Sequence, residues 1–162
     1  MADGTLPQLP DDVLQVIYGE VSLQQLLAHR AVCSHFNRVL PTELLHINLT
    51  DRIGGAGAAS LSAALPGFTA LQTLDLRGIY IGDAGAASLS AALPGCTALQ
   101  TLDLEANRIG PAGAASLSAA LPGCAALQTL TLGGNDIGGA GITFLQSAWR
   151  TAGKAINIGG LT

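Results

Sequence analysis

The stretch Leu99-Gln100-Thr101-Leu102-Asp103-Leu104-Glu105-Ala106-Asn107-Arg108-Ile109, continued by Gly113, Leu117, Leu121 and the pair Pro122-Gly123, decides the fold because it recurs. A preceding copy starts at Leu71 and a following one at Leu127. Ile53, Ile81, Ile109 and Ile137, each followed by glycine, mark a strict 28-residue period. A period of this length indicates a solenoid, in which each unit buries its apolar side only against its neighbours.

Each part of the unit has a physical reason. Alternation at Leu102-Asp103-Leu104 sends two leucines to one face of a strand and the polar residue to the other. Asn107 stands where the chain must turn, and its amide can bond the backbone of the bend. Leu117 and Leu121 lie four apart on one helical stripe, and Pro122-Gly123 stops that helix. The register predicts parallel strands near 46–49, 73–76, 101–104, 129–132 and 155–158, with helices at roughly 57–65, 85–93, 113–121 and 141–150 outside them. Gly54, Gly82, Gly110 and Gly138 recur at the helix entrances, where stacked backbones are expected to approach closely.

This pattern resembles the ribonuclease-inhibitor class of leucine-rich repeats, whose units carry a strand on the concave side and a helix on the convex side. The resemblance covers about 44–158 and implies an α/β fold, a short leucine-rich-repeat solenoid with parallel strands inside and helices outside. Two departures stand out. Ile79 replaces the bend asparagine, so that turn lacks the side-chain bond and is expected to be looser, and the strand at 44–49 sits one residue closer to Ile53, marking an atypical entrance unit. Trp149, the sole tryptophan, occupies a leucine position and reads as a capping plug. Cys96 and Cys124 share the repeat position of Phe68 and read as core fillers.

Hydrophobic residues make up 49% of the chain but aromatics only 4%, so the core must be built from Leu, Ala and Ile. The net charge of −4, with seven Lys and Arg, argues against nucleic acid, whose binders concentrate cations on one face. The uncharged runs 53–74 and 109–135 are interrupted by Pro, Gly, Ser, Gln and Thr, against a membrane span. No basic and apolar leader opens the sequence, and three cysteines without a CxxC pair read as reduced thiols, so a cytoplasmic or nuclear location is expected.

Residues 1–43 have a different texture and are expected to form a small helical head, with 44–162 as the solenoid. Leu9-Pro10-Asp11-Asp12 suits a helix entrance, since acidic residues favour the positive end of the helix dipole. Val13, Leu14, Ile17 and Val21 continue an apolar stripe. Ser22 can cap a second helix bearing Leu23, Leu26 and Leu27, and a third is expected over 31–40. These residues resemble the F-box. Its opening Leu-Pro-acidic stretch matches Leu9 to Leu14, its isoleucine Ile17, its Ser-x-x-x-Leu Ser22 to Leu26, and its closing Arg-x-Val-Cys-x-x-aromatic Arg30 to Phe36, with Phe36 in place of the usual tryptophan. The resemblance implies recruitment of a Skp1-like protein, the linker of a cullin-type ubiquitin ligase, through Leu9, Pro10, Val13, Leu14, Ile17 and Val32. The alternative is that the head only caps the first apolar layer of the solenoid.

No catalytic, cofactor or metal constellation emerges. Cys33 and His35, two apart on a helix, point to different faces, so thiol and imidazole would not meet. No HxxxH, CxxC, GxGxxG or GxxxxGK[ST] pattern occurs, and four equivalent glycines do not make one special phosphate loop. A non-enzymatic binding protein is expected, with an inhibitor-type or scaffold role as the alternative to a ligase adaptor. Its expected concave face consists of the alternate strand positions His46, Asn48, Thr73, Asp75, Arg77, Thr101, Asp103, Glu105, Thr129 and Thr131. Asp75, Asp103 and Glu105 give it an acidic stripe beside Arg77, suited to a basic or hydrogen-bonding peptide.

Overall fold

A computed structural model describes residues 46–48, 53–153 and 158–159. The head residues Leu9, Pro10, Val13, Leu14, Ile17 and Val32, and the segment 154–157, lie outside the described residues. Five short strands, β1 His46–Asn48, β2 Thr73–Asp75, β3 Thr101–Asp103, β4 Thr129–Thr131 and β5 Ile158–Gly159, form one sheet in sequential order with every pairing parallel. Between them run α1 Gly54–Ala64, α2 Gly82–Ala92, α3 Pro111–Ala120 and α4 Gly138–Thr151. Three 3-10 turns, Leu65–Gly67, Leu93–Gly95 and Leu121–Gly123, end the first three helices at the expected Pro-Gly pairs.

The register explains the repeat. Thr73 pairs with Thr101 and Thr101 with Thr129, each 28 residues on, whereas His46 pairs with Thr73 after only 27. The entrance unit is therefore one residue short, as its sequence indicates. Leu74, Leu102 and Leu130 stack in register and, with Leu61, Leu89, Leu117 and Leu145 from the helices, belong to one buried cluster. The opposite strand positions, such as Thr73 and Asp103, are half-exposed, so the helices cover one face of the sheet and leave the other open. Trp149 lies fully buried in the last layer of this core, and Cys96 and Cys124 are buried within it. No helix among the described residues is long and apolar enough to cross a membrane.

The helices begin earlier than the leucine spacing suggests, at Gly54, Gly82, Pro111 and Gly138. Gly54, Gly82 and Gly138 have a different reason from close approach, being left-handed, whereas Gly110 has φ −95 and a Cβ there would lie 3.1 Å from Asp83 Oδ2. Gly82 adopts φ +60, where L side chains are disfavoured, and a Cβ there would meet nothing within 4 Å. The closest approach falls on the glycine three residues further on: a Cβ on Gly141 would lie 2.5 Å from Cγ2 of Ile137 and 3.0 Å from Cβ of Ala114 in the adjacent helix. That position lets neighbouring helices pack through alanine-sized layers.

None of the four helices receives a side-chain cap from its own N-cap residue. For α3 the cap comes from the preceding unit, because Asp83 Oδ1 accepts the N–H groups of Gly110 at 2.7 Å and Gly113 at 2.8 Å. The bends are also joined across units. Asn107, fully buried, donates through Nδ2 to the carbonyls of Leu76 at 2.6 Å and Glu105 at 3.1 Å, and Asn135 donates likewise to Leu104, Leu132 and Gly133. Each asparagine thus ties its own bend to the one before it. At Ile79 the expected side-chain bond is missing, yet the turn is closed: the isoleucine is fully buried, its carbonyl accepts the N–H of Gly54, and Asn107 reaches in from the next unit.

At the tip of the bend, Gly78, Ala106 and Gly134 occupy one repeat position, all left-handed, with φ of +69, +55 and +66. Only Ala106 carries a Cβ there. Ala106→Gly should relieve about 1–2 kcal/mol of left-handed strain against roughly 0.5–1 kcal/mol of added unfolded-chain freedom. A net gain of about 0.5–1 kcal/mol in urea unfolding is the expected result, and Gly134→Ala should shift stability the other way.

Candidate protein-binding face

The open strand face carries two columns. Thr73, Thr101 and Thr129 form one, in register with the backbone of His46, and Asp75, Asp103 and Thr131 form the other, in register with the backbone of Asn48. The expected residues Thr73, Asp75, Thr101, Asp103, Thr129 and Thr131 are all half-exposed on this face, and Arg77 and Glu105 are exposed just beyond it. Five strands at about 4.8 Å make a ribbon of roughly 20 Å, enough for one peptide or the edge of a small protein.

The acidic stripe is less open than its sequence suggests. Asp75 is gripped by Arg77, whose Nε donates to Oδ1 at 3.0 Å and whose second guanidinium nitrogen reaches Oδ2 at 2.8 Å. The same Nε lies 3.6 Å from Asp103 Oδ2. Each aspartate also bonds the backbone two residues on, Asp75 accepting from Arg77 N–H at 3.2 Å and Asp103 from Glu105 N–H at 3.0 Å. The side-chain bond to Asp75 and the surrounding acids raise the Arg77 guanidinium above its usual range. Partial burial raises the Asp103 carboxyl, against the lowering effect of the Glu105 N–H. The aspartates therefore finish the strand ends as well as facing outward, and Glu105 is the stripe's exposed carboxylate with no ion pair among the described residues.

The Cys96 thiol is pushed up to about 11, first by burial and then by the nearby Cys124 thiol, which leaves it a poor nucleophile at neutral pH. Among the described residues no group of three His, Cys, Asp or Glu is arranged to hold a metal ion. What the face offers is hydrogen-bonding and charged groups on a rigid backing, which suits recognition.

One further pair escapes notice in the sequence, where Arg77 and Arg108 look scattered. The Arg108 guanidinium carbon lies 4.4 Å from the ring centroid of Tyr80. The two stand 28 positions apart, at the same place in successive units, and that spacing is the signal that would have brought them together. They lie on the edge where strands pass into helices, alongside Arg77, Glu105 and Asp136. Of the charged residues between 53 and 153, all except Arg150 lie on the strands, on this edge or in a first helical turn. The outer faces of α1, α2 and α3 expose mainly alanine instead, and α4 exposes Thr143 and Phe144.

Comparison with known proteins agrees with this architecture. A family model described as "Leucine Rich repeat" matches residues 95–118 and 123–145, and the head lies outside both stretches. No curated protein matches the chain. A solved structure of leiomodin-1 actin-binding site 2 (ABS2) shares the fold with a TM-score of 0.67 and 18% sequence identity, over 81% of this chain and 82% of that one. Identity at that level speaks for fold alone. The parallel sheet, the flanking helices and the matched units together show that this chain contains leucine-rich repeats stacked as a short α/β solenoid.

Proposed function

We propose that this chain is a non-enzymatic protein-interaction adaptor, working in the cytoplasm or nucleus, whose solenoid over 44–162 holds a partner on the strand face. The observation that carries the reading is the polarity of the solenoid. A fully sealed leucine core backs a ribbon of half-exposed Thr and Asp side chains, and charge is concentrated on and beside that ribbon. The partner chemistry that suits Thr73, Thr101 and Thr129 beside Glu105 and Asp103 is a hydrogen-bonding or basic peptide segment.

The finer proposal is that the head, over 1–43, docks a Skp1-like protein and so makes the chain a substrate receptor of a cullin-type ubiquitin ligase. Its support is the F-box resemblance of Leu9-Pro10 before an acidic helix start and of Val32-Cys33 further on. The test is direct binding of the full chain to purified Skp1, compared with a Leu9→Ala, Pro10→Ala double variant. The variant should keep its circular dichroism and lose at least tenfold in affinity, about 1.4 kcal/mol. A folded chain without measurable Skp1 affinity would remove the ligase role and leave a leucine-rich-repeat scaffold with a capping head. Co-sedimentation with filamentous actin belongs in the same experiment, since actin binding is named for the leiomodin fragment that shares the fold.

A further inference from the structure

We propose that the Tyr80–Arg108 pair, on the edge where strands pass into helices, is an anchor for a carboxylate side chain of a partner protein. This rests on the reading of the solenoid as a protein-binding module, but it places a contact outside the strand face.

Among the described residues, the two arginines of this edge are in different states. Arg77 is consumed within the chain by a bidentate grip on Asp75 and a longer approach to Asp103. Arg108 is exposed and stacked over Tyr80, and no carboxylate pairs with it among the described residues. Stacking on a ring face holds a guanidinium flat while leaving its N–H edges directed outward. A planar fork with those edges open matches a carboxylate in two parallel hydrogen bonds. Because the ring already restrains the side chain, less freedom is lost when a partner arrives.

The backbone supports a role beyond stability. Tyr80 and Arg108 both hold left-handed conformations, with φ of +58 and +57. Non-glycine residues in that region cost about 1–3 kcal/mol each and tend to collect at functional sites. The equivalent residue of the next unit, Asp136, is not left-handed, and two positions earlier in the bend the left-handed conformation is taken by glycine at Gly78 and Gly134. Keeping a large aromatic and an arginine there gives up stability for a particular surface, and Tyr and Arg are the residue types that dominate binding hot spots.

The surroundings narrow the ligand. Asp136 occupies the next unit's equivalent of Arg108, and Glu105 lies three residues before Arg108. Acids at these two positions on the same edge disfavour a doubly charged phosphate more than a singly charged carboxylate, because repulsion grows with the ligand's charge.

The test is to pan a random peptide library on phage against the full chain and to measure the selected peptides, resynthesised, against the unmodified protein, Arg108→Lys, Tyr80→Phe, Tyr80→Leu and Asp103→Ala. Circular dichroism establishes that each variant is folded. Selected peptides should carry an Asp or Glu whose change to Asn or Gln weakens binding at least tenfold. Arg108→Lys should cause a similar loss, and the two losses should not add, as expected for groups in direct contact. Tyr80→Phe should keep binding and Tyr80→Leu should reduce it. Peptides lost with Asp103→Ala but indifferent to Arg108→Lys would overturn the anchor while leaving the strand-face reading intact. Tighter binding when phosphoserine replaces the acidic residue would overturn the carboxylate assignment. Failure to select any peptide would count against both readings.

Discussion

Leu102→Ala should cost roughly 2–5 kcal/mol in chemical denaturation, the range for large-to-small changes at sealed core positions. Leu102 is fully buried and stacked in register between Leu74 and Leu130, so the cavity would open in the middle of the leucine layer, where neither neighbour can move without disturbing its own unit. The adjacent Asp103→Ala is the control. Asp103 is half-exposed and its contacts are one backbone N–H and a long approach by Arg77, so a loss under about 1 kcal/mol is expected. Equal effects at the two positions would mean that the inward and outward faces of the strand have been wrongly assigned.

The second large effect is expected at Asn107. Its side chain joins the carbonyls of Leu76 and Glu105 and lies within 3.4 Å of the Ile81 N–H, all around a fully buried amide. Asn107→Ala would take this partner from the Leu76 carbonyl and the Ile81 N–H, while the Glu105 carbonyl keeps the Gly78 N–H. At about 1–3 kcal/mol for each orphaned group, a total near 3 kcal/mol is expected. Asn107→Asp is the informative comparison. It keeps the size and an acceptor toward Ile81, but it puts a carboxylate against the two carbonyls that the Nδ2 group satisfied. It should be no better than alanine near neutral pH. If Asn107→Ala instead unfolds with the same midpoint as the unmodified chain, the cross-unit amide bonds do not contribute to stability.

Much of this architecture was legible in the sequence because a repeat multiplies weak signals. A single Leu-x-Leu pair is ambiguous, but Leu74, Leu102 and Leu130 at one spacing define a layer, and Trp149, at a leucine position, joins the same buried core. Other features were hidden because they depend on what faces what between units. Asp83 gives no sign that it caps α3, since its partners Gly110 and Gly113 lie 27 and 30 residues away. Helix starts read from leucine spacing fall too late because that spacing reports the buried stripe, whereas the entrance glycines, left-handed at Gly54, Gly82 and Gly138, bear no side chain to betray them. Alternation brings Asp75, Asp103 and Glu105 onto one stripe, but the partial neutralisation by Arg77 depends on side-chain geometry that alternation alone does not contain.

The identity of the helical segments has a consequence for how the chain finds its fold. The ten residues AGAASLSAAL occur unchanged at 56–65, 84–93 and 112–121, so the helices of the first three units present interchangeable surfaces. A chain that slipped by one whole unit, looping 28 residues out, would still meet matching alanines and leucines in its core. What distinguishes the right neighbour from the wrong one is carried by the few positions that break the copy. Asp83 can clasp only a following unit whose helix entrance is shaped like Gly110-Pro111, and Asn107 must find the Leu76 carbonyl with its side-chain Nδ2 on one side and Asn135 Oδ1 with its backbone N–H on the other. Those polar contacts act as an address system in a molecule whose apolar interior cannot tell its own floors apart.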